Sequence, residues 1–148
     1  MKNTLALVLM VFGIVSTPLT AEVKSFMCGM NLLFGGSTST EQLMIPDSEI
    51  QYSFLLQIEA SNKLVNWRGR KLQNYTENSS EVIANNQPKD VDEEGTMYRT
   101  KTEIIFNKFN GNLREGIFYE IKSPVEDKLV WVESSFTKYL CKKTESLL

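Results

Sequence analysis

The chain contains no histidine and only two cysteines. Without an imidazole, neither the Ser-His-Asp nor the Cys-His catalytic arrangement can form, and the common zinc sites lose a principal ligand. Paired carboxylates stay available, because glycoside hydrolysis needs only two correctly placed acids. The sequence does not place any two of its strand-associated acids together; these are Glu59, Glu103, Glu120 and Glu133. We therefore predict no enzyme activity, no metal and no cofactor, and a carboxylate-based hydrolase is the least favoured function.

An excess of charge of one sign is also missing. Lysine and arginine total 16, aspartate and glutamate total 18, and the two signs are interspersed along the chain. A surface for nucleic acid or for an anionic membrane would need a basic stripe, which the sequence does not contain. The acidic cluster Asp90, Asp92, Glu93 and Glu94 departs from the ligand spacing of a calcium loop, so we interpret it as a solvated loop. We predict no nucleic-acid partner.

Long apolar runs are absent apart from one near the start. Leu5–Val15 is an eleven-residue apolar run, whereas a membrane-spanning helix needs about 20 residues. Its length and the positive charge of Lys2 before it are typical of a signal peptide. We predict cleavage after Ala21, which makes residues 1–21 the signal peptide and residues 22–148 a single β domain. The sequence therefore indicates an exported bacterial protein, periplasmic or secreted, with no membrane span after cleavage; a secreted eukaryotic protein is the less favoured alternative.

The two cysteines stand near opposite ends of the predicted domain. In an oxidising compartment two such cysteines usually pair, so we predict a disulfide between Cys28 and Cys141. Closing a loop of about a hundred residues stabilises a protein by on the order of 4–5 kcal/mol in the chain-entropy account. A redox role would favour a Cys-x-x-Cys spacing, which is missing. Because bonded cysteines need Cα atoms within about 7 Å of each other, the first and last strands should be neighbours.

Alternation of apolar and polar side chains dominates the rest of the chain. In Ile50–Ile58 every second residue is apolar, which predicts a strand with one buried face. The same pattern places Ile117, Tyr119 and Ile121 on one face of another strand. Asn110-Gly111 is the strongest hairpin signal, since a type I′ turn needs positive φ at both central residues. Further strands are predicted at Phe26–Phe34, Leu64–Trp67, Ile104–Phe106, Leu129–Val132 and Phe136–Cys141. We predict an all-β fold, a single small antiparallel β-barrel or sandwich of six to eight strands.

Three segments carry a resemblance. Phe54–Trp67, FLLQIEASNKLVNW, reads as a strand, a polar turn and a second strand. Ile105–Leu113, IFNKFNGNL, joins a strand to a turn glycine, and Tyr139–Lys142 is a closing aromatic-x-Cys-Lys. Together they resemble a loose group of small exported bacterial β-proteins of unknown function, over roughly residues 50–143. The resemblance implies an all-β fold and an envelope location, but no activity and no site residues. Periplasmic lysozyme inhibitors of the small-barrel type have a serine-glycine loop before a tyrosine. This sequence lacks that loop, which argues against membership of that family.

The most suggestive surface candidate is the segment Trp67-Arg68-Gly69-Arg70. Aromatic and arginine side chains are enriched where proteins bind each other. In one interpretation Trp67, Arg68 and Arg70 form a binding surface around a glycine turn. In the other, Trp67 ends a strand in the core, and only the two arginines are exposed at a charged hairpin tip. The sequence favours the second interpretation.

These absences and patterns favour a binding protein over an enzyme. The leading hypothesis is a small exported binding module that acts by protein contact, as an inhibitor or a toxin-neutralising partner does. The alternative is a small β-barrel that carries an apolar ligand, because alternating Phe, Met and Leu side chains can line a cavity as well as fill a core. A closed lumen of about 300 Å³ or more would favour the carrier.

Thiol titration tests the predicted disulfide. With Cys28 and Cys141 paired, the exported protein should show no reactive thiol when it is denatured without reductant, and two thiols after reduction. The reduced and non-reduced chains should also migrate differently on a denaturing gel, because the bridge keeps the unfolded chain compact. Two free thiols per native chain would refute the pairing.

Overall fold

The computed structural model describes residues 22–34, 42–93, 96–123, 125 and 128–146. The predicted signal peptide at residues 1–21 and its cleavage site lie outside the described residues, as does Glu94 of the acidic cluster. The described residues form eleven antiparallel strands: β1 Val23–Phe34, β2 Gln42–Met44, β3 Phe54–Glu59, β4 Leu64–Trp67, β5 Arg70–Leu72, β6 Asn74–Glu77, β7 Glu81–Asn85, β8 Lys89–Glu93, β9 Thr96–Asn107, β10 Asn112–Lys122 and β11 Leu129–Lys143. Two single 3₁₀ turns cover Asp47–Glu49 and Thr144–Ser146.

The predicted all-β antiparallel fold is confirmed, but the predicted number of strands is too small. Strands β2, β5, β6, β7 and β8 have three to five residues each, too few for alternation to reveal them. The interpretation of Asp90, Asp92 and Glu93 as part of a solvated loop is wrong, because Lys89–Glu93 pairs with β9 as strand β8. The strands follow the order β5-β4-β3-β1-β11-β10-β9-β7-β6, with β2 on β1 and β8 on β9. Within the described residues no ladder joins β5 to β6, so the sheet is open and a closed barrel is not confirmed. The sheet is curled, because β4 contacts β6 and side chains from both ends of the order share one core.

The predicted disulfide between Cys28 and Cys141 is confirmed, and it joins the first strand to the last. The two residues lie directly opposite each other in the β1–β11 ladder, with Cα atoms 3.9 Å apart. Their backbone groups point to other strands: Ser53 N–H donates to the Cys28 carbonyl oxygen (3.1 Å), and Cys141 N–H donates to the Gly111 carbonyl oxygen (2.8 Å). Side chains approach most closely at such non-hydrogen-bonded pairs, which is why a disulfide fits here.

The concave face of the curled sheet is filled by side chains. Trp67, Phe106 and Tyr139 are each at most 2% exposed and occupy the centre. The ring centroids of Trp67 and Tyr139 are 5.0 Å apart in an edge-to-face arrangement, and Phe54 meets Tyr139 at 5.7 Å in the same way. Thirteen buried residues form the core, including both cysteines and the predicted inward residues Leu56, Ile58 and Ile104. The interior of the sheet is a packed core.

The two glycine turns differ from the sequence-based expectation. The β9–β10 hairpin predicted at Asn110-Gly111 is present, but only Gly111 has positive φ (+73°), so the turn is not type I′. Asn107 Oδ1 accepts the N–H groups of Phe109 (3.0 Å) and Asn110 (3.2 Å), which favours a longer loop. Positive φ at two successive residues occurs at Arg68 (+53°) and Gly69 (+78°), between the paired residues at the ends of β4 and β5. The type I′ turn therefore lies in the segment singled out for binding.

Strands β9, β10 and β11 are longer than the strands that cover them. They contain 12, 11 and 15 residues, and their far halves project beyond the core together with β8. We call this four-stranded projection the arm; it comprises residues 89–93, 96–102, 117–122 and 129–135. A register shift at Ser134 lies where the arm begins, since Ile117 pairs with Ser135 and Phe118 with Glu133. The extra residue changes which side chains of β11 share a face with the core.

Two alanine substitutions separate backbone strain from steric clash. Both Gly69 and Gly111 have positive φ, where a Cβ costs on the order of 1–2 kcal/mol. A Cβ at Gly69 meets no atom within 4 Å, whereas a Cβ at Gly111 would lie 2.3 Å from the Cys141 carbonyl oxygen. In urea unfolding we expect Gly69→Ala to lower the free energy of unfolding by about 1 kcal/mol and Gly111→Ala by about 3 kcal/mol. Equal losses would contradict the close approach of Gly111 to β11.

Candidate functional site

The structure divides the three predicted binding residues between core and surface. Trp67 is 1% exposed and lies in the core, as the favoured interpretation predicts, while Arg68 and Arg70 lie at the surface. The Arg68 guanidinium stands 4.5 Å from the centroid of the Phe54 ring, and its Nη1 lies 3.6 Å from Glu115 Oε2. Arg68 therefore covers the edge of the core next to the arm. A role of this surface in binding stays a prediction.

Glu115 is the one buried acid among the described residues. Its Oε2 accepts a hydrogen bond from the Tyr139 hydroxyl (2.9 Å) and faces Arg68, so the carboxylate has two partners. Burial, together with the neighbouring Glu115 carboxylate, raises the pKa of Tyr139 to about 12. The arrangement ties β10 to β11 and to the β4–β5 turn at the boundary between core and arm. A single carboxylate held in this way is a structural group.

The strand-associated acids of the described residues are engaged with other side chains. Each of the four strand-associated acids has its own partner: Glu59 with Asn62, Glu103 with Lys101, Glu120 with Arg99, and Glu133 with Arg114. Asp90 lies 3.8 Å from Arg99. In the described part of the chain, no three acids or cysteines are grouped closely enough to hold a metal ion.

One face of the arm carries a group of exposed aliphatic side chains. The strand β10 continues without interruption from the core residues Leu113 and Glu115 to Ile117, Tyr119 and Ile121, so these three lie on the core side. Cross-strand pairing and the register shift at Ser134 add residues of β8, β9 and β11 to the same side. We call this surface the apolar arm face. Its apolar residues are Val91, Tyr98, Ile117, Tyr119, Ile121, Val130 and Val132, and Lys89, Thr100, Thr102 and Ser135 lie on the same side.

The apolar arm face is not covered as the core is. Val132, Ile117, Ile121 and Val91 are between 36% and 44% exposed, whereas Leu113 on the same side of β10 is 1% exposed. The rings of Tyr98 and Tyr119 meet edge to face at 5.9 Å, which keeps the surface continuous across β9 and β10. An antiparallel sheet normally packs its apolar face on a second layer and exposes its polar one. Here the apolar face lacks a second layer of described residues.

The opposite face of the arm combines ion pairs with aromatic rings and with the exposed side chains of Met97 and Leu129. Lys101 Nζ lies 5.2 Å from the centroid of the Phe118 ring and 5.1 Å from that of the Trp131 ring. Arg99 pairs with Glu120 at 2.9 Å. This face carries cations above aromatic rings, an arrangement compatible with exposure to water. The arm thus has ion pairs on one side and an open surface of aliphatic side chains on the other.

An open strand edge adjoins the apolar arm face. Strand β1 pairs with β11 only from Lys138 to Lys143, while β10 pairs with β11 along its whole arm segment. Within the described residues, the other edge of Leu129–Ser135 pairs with no strand. Such an edge presents backbone N–H and C=O groups to which a further strand can bond. An apolar surface and a hydrogen-bonding edge therefore lie on the same element.

Sequence reasoning found only part of this face. The alternation placed Ile117, Tyr119 and Ile121 together, but it gave no sign that Val130 and Val132 join them, because the register shift at Ser134 has no signature in the sequence. Alternation also cannot show that the face is uncovered, because it reports which residues share a face and not what packs on that face. The uncovered face could have been found by comparing the number of apolar residues on the long strands with the length of the strands available to cover them.

Two cavities formed by the described residues open at the surface. A groove of about 440 Å³ runs over the outer side of β9, β10 and β11 and is lined in part by Asn31, Asn107, Asn112 and Arg114. A second cavity of about 210 Å³ lies at the end of the core opposite the arm. Neither is an enclosed lumen within the curled sheet.

Comparison with known protein families, with curated proteins and with solved structures found no match for this chain. The resemblance to a loose group of small exported β-proteins therefore stays a prediction. No helix in the described part of the chain is both long and apolar enough to cross a bilayer.

The buried hydroxyl of Tyr139 predicts a loss of stability at high pH. Its pKa is higher in the folded chain than the ordinary 10, so the folded state holds the proton more tightly than the unfolded state. This stabilisation is complete below about pH 10 and is lost as the pH rises towards 12, by about 1 kcal/mol at pH 11. In urea unfolding at pH 8 and pH 11, Tyr139→Phe should lack this part of the loss. At pH 8 the variant should be about 1–3 kcal/mol less stable, because Glu115 loses its donor.

An equal fall in stability for the wild type and for Tyr139→Phe between the two pH values would contradict the assignment. The other titrating groups are common to both proteins, so they cancel in this comparison.

Proposed function

We propose that this protein is an exported binding module that acts by contact with another protein, and that the partner covers the apolar arm face. The observation that carries the proposal is the exposed aliphatic surface of the arm, which continues the core side of β10 beyond the strands that cover it. Contiguous exposed apolar surfaces of this kind mark interaction sites on proteins. The Cys28–Cys141 disulfide supports export, because disulfides persist in oxidising compartments outside the cytosol.

The partner we propose is a polypeptide segment with alternating apolar side chains. Such a segment can bond to the open edge of Leu129–Ser135 as an added strand and lay its apolar side chains against those of Ile117, Ile121 and Val132. A small apolar ligand could use the face, but it could not satisfy the backbone groups of the edge. The edge and the face together therefore favour a protein.

A second copy of this chain is a weaker candidate for the same surface. The register shift at Ser134 interrupts the edge, so two copies related by a two-fold axis could pair regularly only over Leu129–Val132. A different strand can match the irregular edge with its own sequence. The packed core also weighs against a carrier whose ligand lies inside the sheet, and the separately paired acids weigh against a hydrolase.

A pair of lysine substitutions on the two faces of the arm tests the proposal. Val132→Lys places a charge on the apolar arm face, where the side chain is 44% exposed, and Met97→Lys places the same charge on the opposite face, where the side chain is 64% exposed. Both variants should fold, as judged by circular dichroism and melting temperature. The disulfide-bonded protein, cross-linked in an envelope extract of its source organism, should yield a partner whose complex can be reconstituted in a 1:1 ratio.

We expect Met97→Lys to bind that purified partner like the wild type and Val132→Lys to bind it at least tenfold more weakly, which is about 1.4 kcal/mol. Equal affinities of the two variants would contradict the proposal. Recovery of a bound lipid without a protein would also contradict it. A wild-type dimer that Val132→Lys converts to a monomer in light scattering would assign the face to a second copy.

A further inference from the structure

The cavity of about 210 Å³ at the other end of the core combines an apolar floor with a positively charged rim. Phe26, Ile58, Val82 and Phe106 form the floor, and the rings of Phe26 and Phe106 are 4.8 Å apart. The rim carries three lysines and one acid, which are Lys24, Lys108, Lys143 and Glu77. We call this cavity the lysine pocket.

Two of the rim lysines lie on the core side of the sheet. Lys24 pairs with Ile58 across β1 and β3, and Lys143 pairs with Phe26 across β1 and β11, so both side chains share the face of their buried neighbours. Folding alone favours apolar residues at such positions, as it does at Cys28 and Cys141 one step further along the same face. The charges therefore stand directly over apolar surface.

The rim has more positive charge than it neutralises. Lys108 Nζ pairs with Glu77 Oε1 at 2.9 Å, and the Tyr75 hydroxyl also donates to Glu77. These two hydrogen bonds, and the charges of Lys108 and Lys24, hold the pKa of Glu77 below its usual range, so the carboxylate is ionised and engaged. Across the described ranges, neither Lys24 nor Lys143 has a carboxylate within ion-pair distance, although Glu22 and Glu145 line an adjoining depression. Lys24 and Lys143, which line both the pocket and this depression, thus have no close ion-pair partner among the described residues.

We propose that the lysine pocket binds a medium-chain aliphatic carboxylate. The tail lies on Phe26, Ile58 and Phe106, and the carboxylate lies at the rim with Lys24 and Lys143. Apolar surface in a concave site with a few charged groups at its opening is the usual composition of a ligand site. At about 30 Å³ per water, the cavity holds roughly seven waters, which is room for an acyl chain of about six to eight carbons.

This site is independent of the proposed protein contact. Lys143 stands at one end of β11 and Val132 lies in the arm at the other, with the disulfide and Tyr139 between them. The lysine pocket can therefore be tested without the partner, and failure of one site leaves the other unaffected.

Nuclear magnetic resonance titration of the disulfide-bonded protein with sodium octanoate tests the proposal. Saturable shifts are expected at the backbone amides of Phe26, Ile58 and Phe106, with a dissociation constant below about 1 mM. Octylammonium, which has the same tail and the opposite charge, should bind at least tenfold more weakly, because the rim lysines repel it. Inorganic phosphate, an anion without a tail, should not shift the floor residues.

Paired charge-removing variants complete the test. The double variant Lys24→Gln and Lys143→Gln should weaken octanoate binding at least tenfold, while Lys71→Gln with Lys89→Gln, two exposed lysines that do not line the pocket, should leave it unchanged. Equal binding of octanoate and octylammonium would overturn the proposal, as would shifts centred on Ile117 and Ile121. Loss of binding in both double variants would also overturn it, because it would indicate a nonspecific effect of net charge.

Discussion

The pairing of Cys28 with Cys141 is the constraint on which the rest of the structure depends. Among the described residues, the β1–β11 ladder is the only one that joins the strands of the first half of the chain, β1 to β5, to those of the second half. Domains of this size are stable by only about 5–15 kcal/mol, and a disulfide closing so long a loop supplies on the order of 4–5 kcal/mol of that in the chain-entropy account. The bond therefore holds together two half-sheets that would otherwise meet through one ladder and a shared core.

The position of the β1–β11 ladder in the sheet determines where both candidate sites lie. The core side of β11 runs from Lys143 through Cys141 and Tyr139 to Val132 and Val130 in the arm. The covering strands lie over the middle of β11, so the side chains there are buried. These covering strands end before either end of β11. At the Lys143 end of β11, lysine side chains lie at the rim of a small cavity. At the other end the face continues as exposed valine, isoleucine and tyrosine, with the Arg68–Glu115 ion pair at the boundary.

The alternation of apolar and polar residues predicts which side chains share a face of a strand, but it does not predict what packs against that face. It placed Leu56 and Ile58 inward and aligned Cys28 with the core, because a strand has a period of two whatever lies on it. It assigned the type I′ turn to Asn110-Gly111, whereas the Asn107 side chain stabilises a longer loop there and the left-handed pair is Arg68-Gly69. Positive φ at an arginine is unfavourable locally, and contacts with Phe54 and Glu115, distant in sequence, accompany it.

At both proposed sites the residues differ from those that folding alone favours. One site has apolar residues at exposed positions, and the other has charged residues at core-side positions. Val132 and Ile121 are 44% and 40% exposed, so a polar residue at either position would cost the core little, yet both are apolar. Lys24 and Lys143 occupy core-side positions where an apolar residue would bury more surface, yet both are charged. Sequences agree with their fold at every level except where function imposes another demand. Because the two departures lie at opposite ends of one continuous face, a single disulfide-locked sheet can present a protein-contact surface and a small anion site without either disturbing the other.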